Sequence, residues 1–473
     1  MEAGFLERKL ELLEEAQVDP EAFAGVEDRL REFVKPFTRT LVQEQQRQRA
    51  ADFIGGLVSD VERKNAESIA YRCDQERDEM QYFLGQSRWD HRPLLLELAR
   101  QVGRDLGRPN GVLVFDPSSF PKKGTASVGV QRQWCGRLGK VENCQVGIYL
   151  GYVSEVEHAL VNVRLYLPKE WAKDRQRRRK CHVPREVRFQ TRHQQCLDML
   201  DEMGDLLPHA WIAGDDEMGR SSAFRRELRG RREQYLLAVP SNTLIRDLTA
   251  SPPESAGTSP PRKVPFVRGD KWRDALPATA WQPVDVRDGE QGPLLVELVS
   301  CRVRAKSDGK RVGPEELLVI IRSREAAGTW KYDFYLSNAP PDTTPAELAL
   351  VAKAEHRIED CLQRGKSEAG LGDYEVRNWY GWHHHQTLSL IAAWFLNDET
   401  RRGEKKDAGA HAAPNAKHHR PATACRRRLR SAPSHRVRID SPVGTNSTRA
   451  ILLPQTTQPV ATIGFETQTH LRQ

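Results

Sequence analysis

Val112-Leu113-Val114-Phe115-Asp116-Pro117-Ser118-Ser119 and Trp211-Ile212-Ala213-Gly214-Asp215-Asp216 are the two stretches on which the fold turns. Each is a short apolar run closed by an acid, the pattern of a buried strand that ends at a turn. A third acid, Glu359, lies inside a long helical segment. Two Asp at the ends of neighbouring strands, where an open sheet forms its ligand crevice, plus a Glu on a helix alongside, would make a cage of hard oxygen donors. Such a cage suits two Mg²⁺ ions, with Mn²⁺ as substitute, and phosphodiester chemistry, in which charge builds on both the attacking and the leaving oxygen. Taken singly, each acid also has an ordinary reading: Asp116 as a turn-former, Asp215 as a loop acid, Glu359 as a solvated helix residue.

Outward from these runs the periodicity predicts an α/β layer. After the Val112 strand come the apolar run Val146 to Val153 and an alternation in which Val161, Val163, Leu165 and Leu167 interleave with Asn162, Arg164 and Tyr166. An Arg-rich polar stretch leads to a helix expected near 186 to 203. The Trp211 strand, a helix around Ser221 to Arg229 and a strand at Tyr235 to Val239 follow, so residues 106–240 read as strands alternating with helices. Residues 241–340 are strand-only, a β-rich insertion that opens with Pro252, Pro253, Pro260 and Pro261. Residues 341–400 return to helix, with Thr344 as N-cap, Pro345 at the first helical position and Glu347 completing a capping box.

Residues 1–105 read as a helical domain: Phe53, Ile54, Leu57 and Val61, and again Leu94, Leu95, Leu98 and Val102, form apolar stripes. Arg47, Arg49, Arg63 and Lys64 would be its exposed cations. Residues 401–473 lack apolar periodicity and read as a disordered basic tail, its odd composition consistent with a frameshift.

The net charge of +8 sits almost wholly in that tail. Residues 401–440 carry +9 and residues 441–473 carry +1, leaving the first 400 near −2, so overall charge is weak evidence for a nucleic-acid partner and local clusters must carry it. The eight cysteines form no CxxC pair and no regular framework, which points to reduced thiols rather than disulfides or a zinc ribbon. No apolar signal core opens the sequence and no apolar run is long enough to span a bilayer, so a cytoplasmic protein without a membrane partner is expected. His383, His384 and His385 point about 100° apart on a helix and are poorly placed to chelate one ion. Trp379 and Trp382 read as packing residues.

VLVFDPSSFPKKG (112–124), WIAGDDEMGRSSAFRRELRGRREQYLLAVPSN (211–242) and HRIEDCLQRGKSEAGLGDYEVRNWYGWHHHQTLSL (356–390) resemble the DDE transposases of bacterial insertion sequences, the IS-four superfamily and its IS-seven-oh-one-like branch. The resemblance spans most of residues 30–400. It implies a ribonuclease-H-like catalytic core with a β insertion between the second and third acids, an N-terminal helical region that binds element ends, and a catalytic set of Asp116, Asp215 and Glu359 as metal ligands. In the superfamily's Tyr-x2-Arg-x3-Glu-x6-Lys motif the last two residues fall on Glu359 and Lys366, which share one helix face. Ala352 and Glu355 stand where the motif has Tyr and Arg.

The implied partner is double-stranded DNA, as element ends and as target, bound by a homodimer. Lys122, Lys123, Arg225, Arg226, Arg231, Arg232 and Lys366 are the candidate phosphate contacts. Two other activities fit the same residues: a catalytically impaired DNA-binding remnant, given Glu355, and a general ribonuclease-H-like nuclease.

Overall fold

A computed structural model of the chain describes residues 24–252, 263–289, 292–307, 312–325 and 328–410. Five helices come first: α1 (Val26–Thr38), α2 (Glu44–Leu57), α3 (Ala66–Arg72), α4 (Arg77–Gly85) and α5 (Arg92–Leu106). The first strands are β1 (Val112–Pro121), β2 (Gln131–Cys135), β3 (Lys140–Val153) and β4 (His158–Leu165). Short helices α6 (Lys169–Lys173) and α7 (Arg175–Lys180) lead to α8 (Arg192–Met203), then β5 (Trp211–Gly214), α9 (Asp216–Arg220), α10 (Ser222–Gly230) and β6 (Tyr235–Ala238). The predicted helix at 186–203 begins only at Arg192, where the Thr191 hydroxyl accepts the Gln194 amide as an N-cap.

The segment expected to be strand-only supplies β7 (Leu244–Asp247), β8 (Val267–Arg268), β9 (Gln282–Gly289), β10 (Gly292–Lys306), β11 (Val312–Arg324) and β12 (Trp330–Ser337), but also a short helix, α11 (Gly269–Asp274). Two long helices close the described chain, α12 (Pro345–Glu368) and α13 (Trp379–Ala410). Residues 401–410, expected to belong to a disordered tail, continue α13 instead. The rest of that tail lies outside the described residues.

All twelve strands belong to one sheet. β1 is antiparallel to β3 and parallel to β5, and β5 is parallel to β6. β4 and β2 share the other edge of β3. Beyond β6 the sheet runs on through β12, β11 and β10, whose far edge takes β9 along one half and β7 along the other. The strand-rich segment is therefore joined to the first part of the sheet by the antiparallel β6–β12 ladder, not set apart from it. Periodicity marks β10, β11 and β12 but not β7, β8 or β9, and a ladder partner is a long-range choice that local pattern does not encode.

Helix α13 is buried at every position from Gly381 to Leu390, because it runs between β4 and the N-terminal helices α2, α4 and α5. A helix enclosed on all sides must satisfy its polar residues internally. His385 meets the Gly370 carbonyl, Gln386 links Tyr149 to the Leu371 carbonyl, and His384 lies between the carbonyls of Leu84 and Trp89 with its ring stacked 3.6 Å from the Trp89 ring. Burial holds all three histidines below their ordinary range, to about 3 for His383 and about 4 for the other two. Trp382 is fully buried. The triplet is core, and among the described residues no three His, Cys, Asp or Glu side chains converge on a ready-made metal site.

The N-terminal helices share one hydrophobic core with the sheet. Their expected cations are mostly engaged: Arg47 bonds Glu44 and the Leu41 carbonyl, Arg49 pairs with Glu79, and Lys64 is buried against the Ser59 carbonyl. Arg63 alone of the four stays exposed and outside any ion pair among the described residues. No described helix is long and apolar enough to cross a membrane.

Candidate active site

Register places the two aspartates. Phe115 pairs with Gly214 across the parallel β1–β5 ladder, so the next residues, Asp116 and Asp215, stand side by side on adjacent strands, roughly 4.8 Å apart in backbone spacing. Asp116 does not end its strand, as its turn-like sequence suggested. β1 continues to Pro121 because Asp116, Ser118 and Phe120 keep pairing with β3, and these alternate residues share one face of the sheet.

Asp215 does end its strand, and it caps the helix that follows. Its Oδ1 accepts the amides of Glu217 and Met218, each at 3.1 Å. The turn is tight because Gly219 presses on the next strand: a Cβ at Gly219 would lie 1.8 Å from the Ala238 carbonyl oxygen. Gly219→Ala should therefore destabilise the fold by roughly 1–3 kcal/mol through overpacking, measured as a lower urea midpoint. An unchanged midpoint would contradict this packing. Asp216 is exposed and pairs with Arg220 at 2.6 Å, away from this arrangement.

Helix α12 brings the remaining groups. Its start is fixed by the Thr344 hydroxyl, which accepts the Glu347 amide at 3.2 Å, while the Glu347 carboxylate reaches the Trp211 indole N–H at 3.0 Å instead of completing a capping box. The helix lies across the sheet, and Ile358 seats directly over Gly151 of β3, where a Cβ would come within 2.3 Å of it. That packing sets which face looks down on β1 and β5.

On that face Lys366 donates to the Ser118 hydroxyl at 2.7 Å and feels the charge of Asp116; burial lowers its pKa. Burial, then Asp215 and Glu359, raise Asp116 to about 8, with Lys366 opposing. Burial also raises Asp215 to about 6, against the pull of the two amides. Neither Asp116 nor the second oxygen of Asp215 has a hydrogen bond among the described residues, and both side chains are half-buried.

Glu359 behaves differently. Its side chain is 75% exposed and lies 3.6 Å from the His356 ring. One turn earlier, Glu355 is partly buried, and burial together with Asp215, Asp116, Asp333 and Glu359 raises it to about 8. The i−4 spacing from Glu359 was the sequence signal that this residue shares the site. Four carboxylates thus gather with Lys366 as the cation among them, although three of them do not close on a common point.

The other expected phosphate contacts divide. Lys123, Arg226 and Arg232 are exposed. Lys122 folds back, its Nζ 3.6 Å from the centre of the Tyr374 ring and 3.2 Å from the Tyr374 carbonyl, and burial lowers it to about 8. Arg231 is tied bidentately to Asp201 and also to Glu227. Arg225 is not a surface group at all: it is 4% exposed, and its Nε donates to Glu316 at 2.7 Å. Helix α10 turns one arginine inward and the next outward, an alternation that the run Arg225-Arg226 does not disclose.

Comparison with known proteins follows the same residues. The model of the family described as DDE superfamily endonuclease matches residues 33–293, which include Asp116 and Asp215 and stop short of α12. The probable transposase for insertion sequence element IS701 of Microchaete diplosiphon is 37% identical over 334 residues, covering 68% of this chain and 75% of that protein. Among solved structures, the piggyBac transposase synaptic complex with hairpin DNA aligns with a TM-score of 0.34 at 10% identity, over 83% of this chain and 74% of that one.

Proposed function

Because the chain belongs to the DDE superfamily endonucleases, and among them to the IS701-like transposases, we propose that it nicks DNA at the inverted repeats ending its own element and joins the freed 3′-hydroxyls to target DNA. The observation that carries this reading is the pair of half-buried carboxylates, Asp116 and Asp215, brought side by side by the parallel β1–β5 ladder under a helix that bears Glu359 and Lys366. The order β4-β3-β1-β5-β6, with β3 alone reversed, supports a ribonuclease-H-like core.

The donor set fits divalent metal: hard oxygens in excess, with Asp116 and Asp215 raised in pKa by burial first and by neighbouring carboxylates second. Asp116, Asp215 and Glu359 would hold a pair of Mg²⁺ ions, or Mn²⁺ in their place, which when bound supply Lewis-acid stabilisation of the attacking and leaving oxygens. Lys366, steadied by Ser118, offers its ammonium to a phosphate oxygen beside Asp116. Lys123, Arg226 and Arg232 flank the two Asp-bearing strands as backbone contacts. Holding two ends at once calls for two copies, so the DNA-bound form is a homodimer, acting in the cytoplasm.

The test is nicking of a terminal-repeat duplex by the purified chain in Mg²⁺ or Mn²⁺. Cleavage confined to the repeat boundary supports the proposal; equal cutting of unrelated duplex would favour a general nuclease, and binding without cutting in either metal a remnant. Lys366→Met should slow nicking roughly a hundredfold, as for loss of one preorganised donor, with duplex affinity nearly unchanged. A large loss of affinity with normal turnover of bound DNA would remove Lys366 from this role.

A further inference from the structure

Helices α6 and α7 and the loop after them form a strongly basic part of the described surface that the proposed chemistry leaves unused. Residues 173–188 hold eight Lys/Arg against Asp174 and Glu186. Two of the arginines hold the fold. Arg178 donates to the carbonyls of Ala172, Pro184 and Val187, and Arg177 lies 3.8 Å from the Trp171 ring and bonds the Thr125 carbonyl.

The others are turned out. Lys173, Arg175, Arg179, Arg185 and Arg188 are exposed and line a cleft of 1180 Å³, and none of them has an ion pair among the described residues. Glu186 is the one acid lining it. Phe189, 38% exposed, and Tyr380 stand on the same walls. A fold that fixes two guanidinium groups and leaves the neighbouring cations unneutralised carries a concentrated positive field, which a regular array of phosphates would offset.

The cleft is also built onto the strand that carries Asp116. β1 runs out into residues 122–130, where the Thr125 carbonyl accepts Arg177 and the Ala126 carbonyl accepts the Cys181 thiol at 3.2 Å. The Cys181 carbonyl in turn accepts the Trp379 amide at 2.8 Å, which anchors the start of α13 and with it Tyr380. A polyanion held in the cleft is thereby placed on a framework continuous with the Asp116 strand.

We propose that this cleft docks the phosphate backbone of duplex DNA, gripping the duplex beside the segment that reacts. The proposal rests on the transposase reading for the identity of the polyanion. Guanidinium groups favour it, since their planar forks match phosphate oxygens.

The full chain, titrated against fluorescently labelled duplex of arbitrary sequence at several salt concentrations, provides the test. Arg175→Gln, Arg179→Gln and Arg185→Gln combined should reduce the slope of log K against log salt by about 2–3, near 0.9 for each phosphate no longer neutralised, and weaken binding at least ~10-fold at low salt. Each single variant should lower the slope by about 1, which guards against a fold defect in the triple. Arg304→Gln with Lys306→Gln, exposed cations on β10, should leave the slope unchanged. A parental slope in the triple variant, an equal loss per charge in the β10 control, or displacement of duplex by polyglutamate as readily as by unlabelled duplex would overturn the proposal. Binding that depends on the cleft, with no metal-dependent nicking, would instead overturn the transposase chemistry and leave the cleft standing.

Discussion

Asp116→Asn is expected to reduce metal-dependent nicking at least ~10³-fold, about 4 kcal/mol of transition-state stabilisation, while making the metal-free protein more stable at alkaline pH. The two effects share one cause. Asp116 is held at about 8 by burial and by Asp215 and Glu359, far above its ordinary value near 3.8. Between those values the folded chain keeps a proton that the unfolded chain has released, so the metal-free fold loses stability as pH rises from about 4 to 8. Asn carries no such penalty. In chelator, the variant should melt above the parent at pH 8 and together with it below pH 4, and added Mg²⁺ should raise the parent's melting temperature but not the variant's. Nicking within tenfold of the parent, or a lower melting temperature at pH 8, would count against this site.

Glu316→Ala should be the most damaging single change to stability, about 3–5 kcal/mol. Glu316 is fully buried on β11, where it accepts from Arg225 of α10 at 2.7 Å and from the Tyr235 hydroxyl of β6 at 2.6 Å. Its removal strands a buried guanidinium between the two halves of the sheet. Asp201→Ala makes the contrast: Arg231 also grips Asp201 bidentately, but Asp201 is 53% exposed, so the cost should be under about 1 kcal/mol. Urea denaturation of both variants decides the matter, and similar midpoints would be incompatible with the burial difference.

Much of the arrangement was legible locally. Apolar runs marked β1, β5 and β6, and Thr344 with Pro345 marked the start of α12 to the residue. Local signals failed where the outcome depended on a distant partner. Glu347 looked like a capping-box residue, yet Trp211 offers its carboxylate a buried N–H. Arg225 and Arg226 are indistinguishable in sequence until Glu316, distant in the chain, takes one of them inside.

The candidate site divides in the same way. Asp215 could be placed because a strand end has a pattern, and Asp116 because the apolar run before it marks β1, although that strand continues past it to Pro121. The surroundings of Glu355 could not, since they depend on how α12 is laid over the strands by the packing of Ile358 on Gly151. The Arg-rich stretch 175–180 reads only as polar, and its division into two structural and two outward arginines comes from carbonyls contributed by residues 125, 172, 184 and 187.

Helix α12 touches β9 and β10 on one side of the sheet's β6–β12 ladder and β6, β5, β1, β3 and β4 on the other. At 24 residues it is about 36 Å long. Fastened at both ends to a sheet whose strands are laddered without a break, it acts as a diagonal brace, and a braced panel resists shear. Hinging the two halves of the sheet apart would have to break the helix contacts as well as the β6–β12 ladder. If the chain turns over DNA as proposed, room for it is expected to come from surface loops and from side chains such as the exposed Glu359, with the backbone beneath the aspartates staying fixed.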